Sequence, residues 1–390
     1  MKIDQASIQK LMGVGFILLG VLGLAMQMHG EALRADTAAL LGTTDGRLAS
    51  NDVPQFQNAH VEKREVRGTL ADEVRRWASE TKDARWLGYS VAELEGDRTI
   101  CCENWNGGRG CGTCRLEDGE HGFNIHGQQT EKGTLQLEAS PKLAILYRAE
   151  NGQVGKIRTL AGDCTADAGG RDVLWLEGVK ESESVALLAG YVTAEKADRE
   201  HESLGKSAMT ALAVHQDRSA QQALESFVEP SRPEWLRRDA AFWLGAARGA
   251  EGFHALQKMA RDDPSAHVRE QVTFALSVSK EPGALNEMIR MAHEDASSHV
   301  RGQALFWLGQ KAGKKAVNAI DGAIENDPDT EVKKKAVFAL SQLPKDEGVP
   351  KLIEVAESNR NPEVRKQAMF WLGQSGDARA LAFFEKVLGP

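Results

Sequence analysis

No P-loop, nucleophile elbow, His-Glu-x-x-His pair or dinucleotide fingerprint occurs anywhere in the 390 residues. The motif-borne routes to phosphoryl transfer, acyl hydrolysis, zinc proteolysis and nicotinamide chemistry therefore have no support. Clusters of cations are equally scarce. From Arg199 onward 26 Lys and Arg stand against 27 Asp and Glu, a balance of −1, which leaves −7 of the formal −8 to the part before it. A near-neutral second half behind an acidic front argues against non-specific nucleic-acid binding, which needs grouped Lys and Arg. Lys333, Lys334 and Lys335 are too few to supply such a patch. Cysteine is missing from the second half: all five lie between positions 101 and 164. Long uncharged apolar runs are limited to Leu11–Met28. With 42% apolar and 27% charged residues, the composition excludes wholesale disorder.

What fills the second half is one sequence frame written six times at a spacing of 32 residues: SLGKSAMTALA from Ser203, WLRRDAAFWLG from Trp235, HVREQVTFALS from His267, HVRGQALFWLG from His299, EVKKKAVFALS from Glu331 and EVRKQAMFWLG from Glu363. A fixed period this short means stacked units, each too small to bury its own apolar face. Within a frame the apolar residues fall at helical spacing, as in Val300, Ala304, Phe306, Trp307 and Leu308, and Gly309 follows where a helix stops. A second run, such as Leu285, Met288, Ile289 and Met291, ends in an acidic turn such as Asp262-Asp263-Pro264 or Asp327-Pro328. Each repeat is thus expected to be a helix pair.

Residues Val300-Arg301 and Val364-Arg365, with Ala-x-x-x-Leu behind them, resemble the second helix of HEAT repeats, in the short variety also found in phycobilisome-lyase-like proteins. The resemblance covers roughly residues 200–390 and implies a mainly α chain: a right-handed α-solenoid of about six 32-residue helix pairs.

Two columns bear on how repeats touch. The third position holds Arg237, Arg269, Arg301, Lys333 and Arg365, and Asp263, Asp295 and Asp327 stand six residues before three of these cations. Such acids on turns can meet a cation of the same or an adjacent repeat, giving a structural ladder of charge-assisted bonds. The first copy has Gly205 there, and Thr210 where later copies have Phe, as expected of a terminal cap. The ninth position alternates Ala211, Trp243, Ala275, Trp307, Ala339, Trp371. In a structural reading each Trp fills the space left by Ala on its neighbours. In a functional reading Trp243, Trp307 and Trp371 are anchors for a bound protein on the concave surface.

At the amino terminus Lys2 and Lys10 precede the charge-free Leu11–Met28, and Gly30-Glu31-Ala32 offers a small-x-small cleavage site. Residues 1–32 read as a signal peptide or a retained anchor, and residues 33–59 as a linker. Either outcome places the rest outside the cytoplasm: periplasmic or envelope-associated, with residues 11–28 the only membrane contact if uncleaved.

Residues 60–181 read as a small α+β domain rich in antiparallel strands, ahead of a repeat region over 182–390. Val61–Val66 and Trp86–Val91 alternate like strands and Leu70–Ala78 like a short helix. Leu135–Glu138, Leu143–Tyr147, Val154–Leu160 and Val173–Leu176 supply further strands, with Asn151-Gly152 as a hairpin turn. Ser182 or Ser184 is expected to cap a helix leading into the repeats.

Cys101, Cys102, Cys111, Cys114 and Cys164 fall in this domain, the first four around a Gly-rich loop, Asn104–Gly110. In an oxidising compartment they suit disulfides, with one thiol left over. A zinc site using the first four with His121 and His126 is a second reading, weakened because adjacent Cys101-Cys102 cannot easily both ligate one tetrahedral ion. A thiol exchanger at Cys111-Gly112-Thr113-Cys114 is a third, although no helix start is evident there. Covalent c-type haem is unsupported, since no His follows Cys114. His267, His293 and His299 read as solvated turn residues.

The layout resembles exported bacterial HEAT-repeat proteins in which a Cys-containing domain precedes the array. That resemblance implies an extracytoplasmic scaffold binding a protein or peptide through its repeats, without a catalytic site or resident cofactor. The alternative is a lyase-like or thiol/metal redox protein working through the Cys101–Cys114 cluster.

Overall fold

The computed structural model describes residues 53–95, 99–101, 104–106, 113–117, 142–162, 164–194, 203–311 and 313–389. Leu11–Met28, Leu135–Glu138, Cys102, Cys111, His121 and His126 lie outside them.

The first part is built around a mixed sheet. Its elements in chain order are β1 (Gln55–Gln57), β2 (Val61–Glu65), α1 (Leu70–Glu80), β3 (Arg85–Ala92), β4 (Thr99–Cys101), β5 (Asn104–Asn106), β6 (Thr113–Arg115), β7 (Lys142–Glu150), β8 (Gln153–Ala161), β9 (Thr165–Asp167), β10 (Val173–Glu177) and α2 (Glu181–Ala194). The main sheet runs β2-β10-β3-β7-β8. Its antiparallel half, β3-β7-β8, includes the hairpin foreseen at Asn151-Gly152, whose φ values of 53° and 83° fit a type I′ turn. The other half is parallel: β10 lies between β2 and β3 and runs with both, pairing Val173 with Val61 and Trp86. A small parallel sheet, β1-β9-β6, flanks it.

Side-chain chemistry explains the layering. Thr69 caps α1 by accepting from the Asp72 amide, and Leu70, Val74, Trp77 and Ala78 turn one helical stripe inward. Gly88 on β3 is glycine because a Cβ there would come within 2.8 Å of the Trp175 ring on the adjacent strand. The Tyr89 hydroxyl bonds the Tyr147 hydroxyl at 3.0 Å and Ser184 at 2.9 Å, and burial pushes its pKa up to about 12. Ser184 therefore does not cap α2; it and Ser182 lie inside the helix, which begins at Glu181, and Ser184 bonds the sheet.

The repeats follow as α3 (Leu204–Val214), α4 (Arg218–Phe227), α5 (Glu234–Ala247), α6 (Gly249–Asp262), α7 (Ala266–Val278), α8 (Gly283–Glu294), α9 (Ser298–Lys311), a 3-10 turn (Gly313–Ala316), α10 (Val317–Asn326), α11 (Thr330–Ser341), α12 (Lys345–Ser358), α13 (Pro362–Gln374) and α14 (Ala378–Leu388). The six frame copies are α3, α5, α7, α9, α11 and α13, and each packs on the next frame helix to form one layer. The intervening helices close the other side of the core through residues such as Leu256, Met288 and Ile320. The chain is mainly helical, an α-solenoid behind a small strand-rich domain.

The first frame copy has a special neighbour. Helix α3 packs on α2 and β8, and its Ala208, Ala211 and Leu212 are completely buried. One apolar core runs unbroken from Leu70 and Tyr147 through α3 to Phe383. Gly205 and Thr210 stand in this copy at the positions of the later cation and Phe, and the residue 26 beyond Gly205 is Ser231 and not an acid.

Candidate interaction surface

The cation column is a set of inter-repeat clamps. Arg269 grips both oxygens of Asp295 at 2.8 and 3.0 Å, and Arg301 grips Asp327 at 2.7 and 3.0 Å. Arg237 pairs likewise with Asp263, 2.9 Å from Nε to Oδ2. Each cation thus reaches the acid 26 residues ahead, in the following repeat. To its own repeat it gives a backbone bond instead: Arg269 Nη1 donates to the Asp263 carbonyl and Arg301 Nη1 to the Asp295 carbonyl. The acid's second task is local, since Asp263, Asp295 and Asp327 accept from the amides of Ser265, Ser297 and Asp329 and so shape the turn into the next frame helix. The hydrogen bonds to Asp295 and Asp327 raise the pKa values of Arg269 and Arg301. The chain changes both partners together at the next step: Lys333 bonds the Glu325 carbonyl, and Asn359 stands where an Asp would be.

The Trp column belongs to a longer aromatic ridge. Trp243, Trp307 and Trp371 are partly exposed, and so are the Phe residues beside them, while Ala211, Ala275 and Ala339 are completely buried. Phe242 stacks on Phe274 at 5.7 Å, Phe274 meets Trp307 at 4.9 Å, Phe306 stacks on Phe338 at 6.0 Å, and Phe338 meets Trp371 at 4.9 Å. Phe306 and Phe370 abut the Trp that follows each at 4.8 and 5.0 Å, so the rings run without a break along the frame helices. The indole nitrogens of Trp307 and Trp371 are buried without a hydrogen-bond partner, so the outward rim of these two rings is hydrocarbon. Beside Trp371, Leu340, Gln342, Leu352 and Gln374 wall a cleft of about 240 Å³.

The alternation has its cause two residues further on, in a column the periodicity had hidden: Gly245, Ser277, Gly309, Ser341, Gly373. A Cβ on Gly245 would stand 2.2 Å from the Ala275 carbonyl, and one on Gly309 2.8 Å from that of Ala339. Helices α5 and α9 thus let α7 and α11 approach against their glycines, and α7 and α11 meet the following Trp307 and Trp371 through Phe274 and Phe338. The Phe column was readable in sequence as an invariant of copies two to six; its ring contacts were not.

Elsewhere the described residues show little convergence of chemistry. Cys114 and Cys164 are buried beside Trp86 and Trp175 and are disulfide-bonded. His267, His293 and His299 are exposed on the repeats. No group of three His, Cys, Asp or Glu among the described residues stands close enough to hold a metal ion, and none of the described helices is long and apolar enough to cross a membrane. One site was missed in the sequence. His215, completely buried after α3, bonds the Asp217 amide through Nδ1 while Nε2 has no partner, and burial lowers its pKa to about 4. Arg248, also buried, has its pKa lowered by burial to about 10.

The family model for HEAT repeats matches residues 222–309, 285–368 and 319–389. No curated protein matches the chain. Among solved structures, human deoxyhypusine hydroxylase in complex with glycerol is 19% identical over 44% of this chain and 68% of its own, with a TM-score of 0.30. The complex of CpcE and CpcF of phycocyanin lyase from Nostoc sp. PCC7120 is 22% identical over 53% of this chain and 81% of that one, with a TM-score of 0.30. The karyopherin Kap121p bound to the extreme C-terminus of the protein phosphatase Cdc14p is 14% identical over 53% of this chain, with a TM-score of 0.36, and the match spans only 27% of the karyopherin. The helix pairs from residue 222 to residue 389 are HEAT repeats.

Proposed function

We propose that this chain is a non-catalytic scaffold that holds a protein or peptide partner against the aromatic ridge of its HEAT repeats, outside the cytoplasm. The observation that carries the reading is the ridge itself: Phe and Trp rings in a continuous row, partly exposed and apolar at the rim. Such rings make effective anchors because they bury large area while losing little side-chain freedom. The exported location rests on the charge-free Leu11–Met28 behind Lys2 and Lys10, and on the disulfide-bonded Cys114 and Cys164. Burial of both sulphurs in an apolar cluster favours a structural role over thiol exchange, which needs an accessible thiolate.

The test places a photoactivatable phenylalanine analogue at Phe274 or Phe306 of the full chain, in its native envelope, with His267, exposed in the first turn of α7, as the control position. The expected result is one protein adduct formed from the ridge positions and absent from the control. Equal labelling from ridge and turn, or no protein adduct from the ridge, overturns the reading. Intact mass of the purified chain tests the location: loss of about 30 amino-terminal residues supports cleavage after export, and free thiols throughout refute it.

A further inference from the structure

The aromatic ridge is not uniform along its length. Phe242 and Phe274 stack nearly parallel at 5.7 Å and 15°, and Phe306 and Phe338 at 6.0 Å and 8°. Between the stacked pairs an indole is interposed: Trp307 has Phe274 at 4.9 Å and Phe306 at 4.8 Å, and Trp371 has Phe338 at 4.9 Å and Phe370 at 5.0 Å. The ridge therefore carries two matched sites, each a partly exposed Trp between two Phe. Trp243 has Phe242 at 5.1 Å, but Thr210 takes the place of its other neighbour. The two complete sites lie two frame helices apart, on α9 and α13. Packed helices stand about 8–10 Å apart, which puts the sites about 16–20 Å from each other.

The stretch between the sites is polar and holds one uncompensated charge. Lys335 stands on α11, three residues before Phe338, and its stem crosses to α9, where a Cβ on Gly302 would overlap it and come 2.9 Å from Nζ. Gly302 is four residues before Phe306, so the ammonium lies along the helical face that carries the stacked Phe306 and Phe338. Its neighbours in sequence are engaged: Lys334 pairs with Glu331, and Lys333 bonds the Glu325 carbonyl. Among the described residues no carboxylate pairs with Lys335. Four residues after the same two Phe come Gln310 and Gln342, both exposed, with Gln310 Nε2 donating to Gln342 Oε1 at 3.0 Å. Gln342 gives one N–H to Ser341, so each amide keeps one N–H for a ligand.

We propose that the ridge binds one extended segment of its partner in the polyproline II conformation, with apolar residues about six positions apart on the Trp307 and Trp371 sites and an acid midway on Lys335. The inference rests on the ridge reading and adds the form and charge of the partner. Polyproline II has three residues per turn and a rise of about 3.1 Å, so every third residue faces the same way and six steps span about 19 Å. That span matches the separation of the sites and brings the middle residue to the Lys335 side. Its carbonyls make no bonds within the segment and can accept from Gln310 and Gln342. A helix spends its carbonyls on itself, and a β-strand turns its third residue to the opposite face. Aromatic grooves suit this conformation because it is preformed and loses little freedom on docking.

The probe is a capped synthetic peptide, Leu-Pro-Pro-Glu-Pro-Pro-Leu, titrated against the full chain by calorimetry. Saturable binding is expected. It should weaken about tenfold, the equivalent of about 1.4 kcal/mol, with Lys335→Glu, and recover when the peptide's Glu is exchanged for Lys. Moving the second Leu one place nearer the first should weaken it as well. Lys335 has no acid partner among the described residues to lose, so Lys335→Glu should melt with the parent. Absent binding, indifference to the Leu spacing, or a charge exchange that restores nothing overturns the proposal. So does tighter binding of an alanine-based helical peptide with its leucines about twelve residues apart, the same span along a helix, since the occupant is then helical. A protein adduct from Phe274 or Phe306 alongside any of these results leaves the ridge reading standing, whereas absence of that adduct removes both.

Discussion

At the residue scale the decisive groups are buried charges. Asp295 holds the Arg269 guanidinium and its own turn at once, with side-chain exposures of only 4% and 13% for acid and cation. Removing the acid leaves a largely buried cation without its counter-charge and opens the turn. Asp295→Ala should therefore cost about 3–5 kcal/mol, the range for breaking a buried pair, as read by urea denaturation. Asp295→Asn keeps the turn bond, as Asn359 does naturally, and should cost less. His215 sets the pH dependence. Its folded pKa is lowered to about 4 from 6.5, chiefly by burial and against the pull of Asp217. The unfolded chain then binds the extra proton between these values, so stability is complete above pH 6.5 and falls as the pH drops toward 4. The loss should reach about 3 kcal/mol, and His215→Leu should flatten that part of the pH–stability curve.

At the scale of elements, the glycine column gives a paired comparison. Gly245→Leu puts a side chain where the Ala275 carbonyl already stands, while Gly373→Leu puts the same side chain into open space. The first should lose about 1–3 kcal/mol or more from overpacking, and the second should be neutral or gain a few tenths from helix propensity. Equal thermal shifts in the two would refute the close approach. The sequence made the frame helices legible because every copy repeats the same apolar spacing. It made β2, β3, β7, β8 and β10 legible because each alternates or lies beside a turn signal. What it hid depends on contacts between distant residues. The parallel pairing of Val173 with Val61 and Trp86 leaves no local mark, and neither does the use of Ser184 as a bond to Tyr89 in place of a cap. The Asp263, Asp295 and Asp327 column was visible, but whether each acid served its own repeat or its neighbour was decided only by the 26-residue reach of the preceding Arg. The Trp and Ala alternation was visible too; its partner, the Gly and Ser column, became meaningful once Gly245 lay against Ala275.

At the scale of the molecule, the sheet domain and the repeats share one core, and this makes a prediction about cooperativity. A solenoid's stability is the sum of its repeats and of the junctions between neighbours, so removing one end should cost that end's junction and little beyond it. Here the first junction is with α2 and β8, which cover the fully buried Ala208, Ala211 and Leu212 of α3. A chain reduced to residues 203–390 exposes that apolar face and loses the cover over the neighbouring His215. Its α3 and α4 should exchange amide hydrogens far faster than in the intact chain, while α9 to α12, flanked by repeats on both sides, keep their protection. The disturbance should fade within about two repeats, because each unit touches only its neighbours. Uniform loss of protection along the whole array would mean instead that the sheet domain is required for the repeats to fold at all. Unchanged protection in α3 would mean that the shared core contributes nothing to holding the two parts together.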